Sequence, residues 1–156
     1  MARYFIESSA LIKRYKHEYG SETVNDLFDV NNELFCLNLA VMEVRKVFYR
    51  LWRYPLKQDT QINDEEYRAL GSRFATDLLL MNRIAFTEEM IQRSIEVLEK
   101  VWVPNIFDFA QLIAYKITKE EYEDIIFVCS DVRSNLVSAT RELFGSNYLV
   151  VPEQVN

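Results

Sequence analysis

Residues 125–131 read Ile-Ile-Phe-Val-Cys-Ser-Asp, an apolar run that ends in an acid. Residues 4–7, Tyr-Phe-Ile-Glu, repeat this pattern near the start of the chain. Short runs that are apolar on both faces, with helical spacing between them, are typical of a parallel sheet covered on both sides. We therefore predict one α/β domain over residues 1–156 with a three-layer fold. Its short, mainly parallel sheet should have four or five strands flanked by helices, from strands at residues 3–6, 34–37, 84–86, 125–129 and 148–151.

Helix starts are marked by capping residues. Ser21 is the expected N-cap of the second helix, and Thr87 that of a later one. Asn63, followed three residues later by Glu66, predicts a capping box. An apolar stripe at helical period then runs from residue 67 to residue 81, and the first helix is expected over residues 9–16.

Composition favours an ordinary globular protein, with 49% hydrophobic and 27% charged residues in 156. No apolar run approaches the ~20 residues that span a bilayer, and no signal peptide is visible, so we expect a cytoplasmic protein without membrane contact. Cys36 and Cys129 should be buried small hydrophobes, and with His17 they are too few for a zinc site. The net charge of −6 is unusual for a protein that binds nucleic acid.

Four acids share one local context: each follows a strand-like run or lies in the first turn of a helix. In a parallel α/β sheet these places meet at one edge, where ligands usually bind. Like charges a few ångströms apart near a surface repel by roughly 4 kcal/mol, so a cation is expected among them. Oxygen ligands suit Mg²⁺ or Mn²⁺. The pattern predicts metal-dependent phosphodiester chemistry at Glu7, Glu43, Asp108 and Asp131.

Each acid also has a structural explanation. Asp108 and Asp131 stand where helix N-caps are common, and Glu43 gains from the helix dipole. Glu7 is a poor N-cap, and Ser8 or Ser9 could supply that cap, which leaves a salt bridge as its structural role. From the residues alone, a metal site and a set of caps remain open alternatives.

Four segments together resemble the PIN-domain nucleases, in particular the VapC-like toxins of toxin–antitoxin pairs. Residues 4–15 (Tyr-Phe-Ile-Glu-Ser-Ser-Ala-Leu-Ile-Lys-Arg-Tyr) are similar to the opening motif of that family, which usually reads Asp-Thr-Ser-Ala-Leu. Residues 37–44 (Leu-Asn-Leu-Ala-Val-Met-Glu-Val) resemble the segment with the family's Glu. Residues 106–114 (Ile-Phe-Asp-Phe-Ala-Gln-Leu-Ile-Ala) and 127–136 (Phe-Val-Cys-Ser-Asp-Val-Arg-Ser-Asn-Leu) resemble those with the third and fourth acids.

The resemblance implies an endoribonuclease that depends on Mg²⁺ or Mn²⁺. Glu7, Asp108 and Asp131 would then be metal ligands, and Glu43 would bind a second ion or orient a metal-bound water. Further expected roles are support of the metal ligands by the Ser9 hydroxyl, a metal-bound water held by Ser134 or Asn135, and RNA binding by Lys13, Arg14, Arg45 and Arg133. The basic clusters at residues 13–17 and 45–53 have solvated helix faces as their alternative.

The resemblance also implies two protein partners. One is a second copy of the chain, with Phe28, Phe48 and Trp52 as candidate dimer contacts and core packing as their alternative. The other is a small antitoxin that places a basic side chain among the acids.

One position departs from the family: Glu7 stands where the family has Asp. The extra methylene moves the carboxylate about 1.5 Å outward, whereas a metal site holds its ligands to about 0.5 Å. We therefore expect a working but weakened site, and keep as the alternative a catalytically degenerate PIN-fold module that binds RNA or protein. An Asp-nucleophile hydrolase, a receiver domain and a Ser/His/Asp hydrolase lack their required residues here.

Overall fold

The computed structural model describes residues 1–130, 135–145 and 147–152. Within these ranges five strands form one all-parallel sheet flanked by seven α-helices, which confirms the α/β class and the three-layer arrangement. The strands are β1 (Arg3–Ile6), β2 (Glu33–Leu37), β3 (Met81–Ile84), β4 (Ile126–Cys129) and β5 (Tyr148–Val150). The helices are α1 (Ser8–Ile12), α2 (Ser21–Leu27), α3 (Asn38–Arg53), α4 (Asp64–Leu78), α5 (Glu88–Leu98), α6 (Ile106–Glu121) and α7 (Leu136–Phe144), with a 3₁₀ turn at Gln58–Thr60.

The strand order is β3-β2-β1-β4-β5, with β1 at the centre. Phe5 of β1 is in register with Phe35 of β2 on one side and with Phe127 of β4 on the other. The chain thus builds the sheet in one direction up to β3 and returns to the other side of β1 for β4. Such a reversal opens a crevice at the carboxyl ends of the central strands, and the candidate site lies there.

Alternate residues of the strands pack into two separate hydrophobic cores, one on each face of the sheet. Phe5, Phe35 and Phe127 face α5, α6 and α7, whereas Ile6, Cys36 and Val128 belong to the core with α1, α2, α3 and α4. Because both faces of the central strands are covered, their inner positions are apolar, which is why β1, β2 and β4 contain continuous hydrophobic runs, whereas edge strand β3 exposes Asn82 and Arg83.

The third strand and the first two helices differ from the sequence prediction. Helix α4 ends at Leu78, and buried Met81 starts β3 in register with Leu34, so the strand covers residues 81–84 and not 84–86. Helix α1 starts at Ser8 and ends at Ile12. The cap of α2 is Gly20, not Ser21: Gly20 has φ +90°, and a Cβ there would lie 2.4 Å from the Pro152 carbonyl oxygen. That close approach is possible only for glycine.

Two predicted caps are confirmed. The Asn63 side chain accepts the Glu66 backbone N–H at 2.9 Å, and the Glu66 carboxylate accepts the Asn63 backbone N–H at 2.8 Å. Thr87 accepts the Met90 N–H at 3.3 Å. Both pairings depend on residues three apart, which is why sequence spacing is sufficient to predict them.

Side chains with other predicted roles are also placed by the fold. Cys36 and Cys129 are buried, as expected, and they lie in the two different cores on opposite faces of the sheet. Of the dimer candidates, Phe48 is buried in the core, Phe28 lies under the Arg14 guanidinium, and Trp52 stacks on Tyr67 with ring centroids 4.5 Å apart. Among the described residues, no helix has the length and apolarity needed to cross a bilayer.

Candidate functional site

Three of the four predicted acids line one cavity of about 650 Å³ at the carboxyl edge of the sheet. Glu7 directly follows β1, Glu43 lies in the second turn of α3, and Asp108 lies in the first turn of α6. Asp131, the fourth acid, lies outside the described residues, as do Arg133 and Ser134. The topology therefore brings together side chains that are about a hundred positions apart in sequence.

Glu7 is buried and caps α1 with its own carboxylate. Its Oε2 accepts the Ser9 backbone N–H at 3.0 Å and the Ser9 hydroxyl as well. The expectation that Ser8 or Ser9 supplies this cap is wrong, because the longer Glu side chain folds back over the first turn and reaches the N–H itself. The Ser9 hydroxyl contacts Glu7 as predicted, and it also accepts the Ser130 backbone N–H at 3.0 Å from the end of β4.

The charge on Glu7 is unfavourable in this environment. The pKa of Glu7 is raised to about 7, mainly by burial and to a smaller extent by the nearby carboxylates of Asp108 and Glu43, although the hydrogen bonds from Ser9 act to lower it. Desolvation disfavours the charged form, and like charges add to that cost. A buried carboxyl group with a raised pKa, set beside other acids in one cavity, is typical of a functional site.

Glu43 is held by two polar side chains that the sequence did not single out. The Ser8 hydroxyl donates to Glu43 Oε1 at 2.8 Å, and Gln111 Nε2 donates to Ser8 Oγ at 2.7 Å and to Glu43 Oε1 at 3.4 Å. Gln111 is fully buried, and its Oε1 has no hydrogen-bond partner among the residues that the structure describes. The sequence could have indicated this role, because Gln111 lies one helical turn after Asp108 on an otherwise apolar helix face.

Asp108 is not the cap of its helix. The Asn105 side chain accepts the backbone N–H groups of Phe107 at 2.9 Å and of Asp108 at 3.2 Å. Asn105, not Asp108, is therefore the N-cap of α6, and the Asp108 side chain lines the cavity.

The predicted RNA-binding cations are placed differently from one another. Lys13 is buried, and its Nζ donates to Glu18 at 3.2 Å and to the Tyr19 carbonyl at 3.0 Å. Arg14 pairs with Asp77 at 2.7 Å. Arg45 is exposed on α3.

Two other cations of α3 line the acid cavity itself: Lys46 and Arg50. The sequence could have indicated this, because residues three and seven positions after Glu43 lie on the same face of a helix. The remaining predicted residue, Asn135, precedes α7, donates to the Trp102 carbonyl and accepts the Ser138 hydroxyl. It therefore links α7 to the segment between α5 and α6.

The chemistry of the acid cluster fits a hard divalent ion. Its acidic groups are carboxylates, the ligands that such ions prefer, and the pKa of Glu7 is raised mainly by burial, with a smaller contribution from the charges of Asp108 and Glu43 that a cation would offset. Within the described ranges, no three His, Cys, Asp or Glu side chains form a group ready to hold a metal ion. Glu7, Glu43 and Asp108 thus match Mg²⁺ or Mn²⁺ by donor type and share one cavity, but these three described acids do not by themselves form such a group. Asp131 belongs to the part of the chain that is not described.

Comparison with models of known protein families gave no match, and comparison with curated proteins gave none either. Function must therefore be inferred from the fold, the cavity and its side chains.

Proposed function

We propose that the chain is a PIN-like endoribonuclease that hydrolyses RNA phosphodiester bonds with Mg²⁺ or Mn²⁺. One observation carries the proposal: Glu7, Glu43 and Asp108, from three separate elements, line one cavity at the carboxyl edge of a parallel sheet. Caps alone would not require this convergence, because Asn105 already caps α6 and Glu43 lies beyond the first turn of α3. The resemblance of four sequence segments to PIN-domain nucleases supports the same activity.

A bound ion would polarise the scissile phosphate and make water a stronger nucleophile. The residues that would hold it are Glu7, Glu43 and Asp108, with Asp131 as the predicted fourth. Ser9 fixes Glu7 through two hydrogen bonds, and Ser8 with Gln111 fixes Glu43. Side chains held in this way keep ligand oxygens in place, which tunes metal affinity and activity in known metal sites.

We further propose, from the resemblance, a biological setting for this activity. The chain would be the toxin of a type II toxin–antitoxin pair in the cytoplasm, and it would form a homodimer. A small antitoxin would inhibit it by placing a basic side chain among Glu7, Glu43 and Asp108, where three carboxylates in one cavity favour a cation.

The test is cleavage of a labelled single-stranded RNA with Mn²⁺ or Mg²⁺. The double variant Glu43→Gln/Asp108→Asn should lose at least about 100-fold in cleavage, because two ligand charges are removed. Glu22→Gln/Asp26→Asn is the matched control: it removes the same charge from exposed positions of α2. Excess EDTA should abolish cleavage by the parent chain, and cleavage that survives EDTA would overturn the proposal.

A second candidate function is an RNA- or protein-binding module without catalysis. It is favoured by Glu7, which is longer than the family's Asp and whose Oε2 is engaged by Ser9. Glu7→Asp separates the two candidates. If Glu7 only weakens an active site, the Asp variant should cleave faster than the parent. RNA binding by a parent chain and an Asp variant that both fail to cleave with Mn²⁺ would favour the module.

A further inference from the structure

Helix α3 carries four basic residues and one acid, and they divide between two faces. Glu43, Lys46, Val47 and Arg50 follow the spacing of one helix face, and all four line the acid cavity. The other cations of the helix lie elsewhere: Arg45 is exposed, and the Arg53 guanidinium lies 3.5 Å from the Trp52 ring centroid. One wall of the cavity is therefore basic although the whole chain carries a charge of −6.

Lys46 has an obvious partner that it does not use. Glu43 stands three residues before it, a spacing at which Glu and Lys commonly pair on a helix. Glu43 Oε1 instead accepts hydrogen bonds from Ser8 at 2.8 Å and Gln111 at 3.4 Å. Among the described residues Lys46 has no salt bridge, and Oε1 of the single acid in its own helix is already bonded to Ser8 and Gln111.

Arg50 shows the same absence of a partner. No acid lies three or four residues from it on α3, and it forms no salt bridge with any residue in the described ranges. Other cations near the site are neutralised: Lys13 by Glu18 and Arg14 by Asp77. Two cations beside a carboxylate cluster, both without an ion pair in the described chain, are suited to an anion supplied by a ligand.

We propose that Lys46 and Arg50 bind the backbone phosphates next to the scissile one in a polyribonucleotide substrate. This inference rests on the proposed function, since the acids mark the point of cleavage. With a rise of 1.5 Å per residue, Lys46 and Arg50 lie about 4.5 and 10 Å along α3 from Glu43. The strand would run along α3, with Lys46 on the nearer phosphate and Arg50 on the next.

The test is the affinity of the full chain for a short fluorescein-labelled single-stranded RNA, measured by anisotropy in EDTA over a series of salt concentrations. Lys46→Gln/Arg50→Gln should weaken binding at least about ten-fold at low salt. It should also reduce the slope of log affinity against log salt by about 1.4, since each phosphate contact on a single strand contributes about 0.7. Arg68→Gln/Lys100→Gln is the control, with an equal charge change at an exposed position of α4 and at another just after α5.

Three outcomes decide the inference. A change in affinity and salt slope confined to the Lys46/Arg50 double variant supports it, because a folding defect would not alter the slope by a set number of phosphates. Equal effects in both double variants overturn it, as does a parent chain that binds no RNA at low salt. The nuclease proposal is tested separately by Mn²⁺-dependent cleavage. If RNA binding changes as expected but no cleavage is seen, the phosphate-binding role of Lys46 and Arg50 is still supported. If the parent cleaves RNA but the two double variants have equal kcat/KM, that role is overturned.

Discussion

Glu7 carries a negative charge in a place where three features oppose it. It is 2% exposed, and the carboxylates of Glu43 and Asp108 lie in the same cavity. The two hydrogen bonds from Ser9 offset part of this cost, yet burial still holds the pKa of Glu7 near 7. A residue selected only for capping would be expected to be a Ser or Asp, so the cost at Glu7 points to a role in function.

The first prediction concerns the pH dependence of stability at Glu7. Its pKa rises from 4.5 to about 7 on folding, so the native state binds more protons than the unfolded chain between these values. The free energy of unfolding of the parent should therefore fall as pH rises through this window, by up to about 3 kcal/mol. Glu7→Gln should lack this loss and be more stable than the parent above pH 7.

Urea unfolding in EDTA at several pH values measures this difference directly. Glu22→Gln, at an exposed position of α2, is the control and should follow the parent. If Glu7→Gln shows the same pH profile as the parent, Glu7 is not the group that titrates.

The second prediction concerns Gln111, which orients Ser8 and Glu43 from beneath the cavity. Gln111→Ala should lower Mn²⁺-dependent cleavage by about 10- to 100-fold, as is typical when a group that orients metal ligands is lost. It should also raise the Mn²⁺ concentration needed for half-maximal cleavage. Gln92→Ala on the exposed face of α5 is the control. A variant that folds and cleaves normally would show that Ser8 positions Glu43 without Gln111.

At the scale of elements, one buried ion pair joins the end of α1 to the last turn of α4. Arg14 donates to Asp77 through Nε at 2.7 Å and Nη2 at 3.1 Å, and the Tyr15 hydroxyl donates to Asp77 at 2.8 Å. An acid near a helix C-terminus is disfavoured by the helix dipole, so these partners must offset that cost. Burial acts to raise the pKa of Asp77, but the hydrogen bonds from Arg14 and Tyr15 outweigh it and lower the pKa.

The third prediction is that Asp77→Asn lowers the free energy of unfolding by about 2–4 kcal/mol, because it leaves the Arg14 charge half-buried without its partner. Since the folded pKa of Asp77 is lowered, its stabilisation is present above its unfolded value of 3.8 and is lost as pH falls further. The difference between parent and variant should therefore shrink below about pH 4. Urea unfolding of Asp77→Asn beside exposed Glu65→Gln checks this, and equal stability of both variants would contradict it.

Local signals predicted the elements where the deciding contacts are close in sequence. The capping box of Asn63 and Glu66 needs only a spacing of three, so it was predictable. The start of β3 was not, because Met81 continues the apolar period of α4, and its pairing with Leu34 is a tertiary contact. The cap at Gly20 likewise depends on Pro152, which is distant in sequence.

At the scale of the whole molecule, the strand order decides which acids meet. Because β1 lies between β2 and β4, the residues that follow these strands converge at one edge, and that rule accounts for Glu7 and Glu43. Asp108 follows no strand; it reaches the same cavity from the first turn of α6, the helix that precedes β4. The supporting contacts were not predictable. Gln111 donates to Ser8 across 103 sequence positions, and Glu43 Oε1 accepts the Ser8 hydroxyl, although Lys46 stands three residues away on the same helix.

The fourth prediction concerns the stability of the whole chain with metal. An ion that binds only the native state stabilises it by about 2.7 kcal/mol at a concentration of 100 times Kd, which for a chain of this size raises Tm by about 5–10 °C. Because protonation of Glu7 competes with the ion, the Mn²⁺-induced rise should be larger at pH 8 than at pH 6. Scanning calorimetry of the parent and of Glu43→Gln/Asp108→Asn measures this, and the double variant should lose the rise. An equal rise in both proteins would place the ion outside the cavity. No rise in the parent would favour the binding module, since a cavity with three carboxylates would then gain nothing from the cation that nuclease chemistry requires.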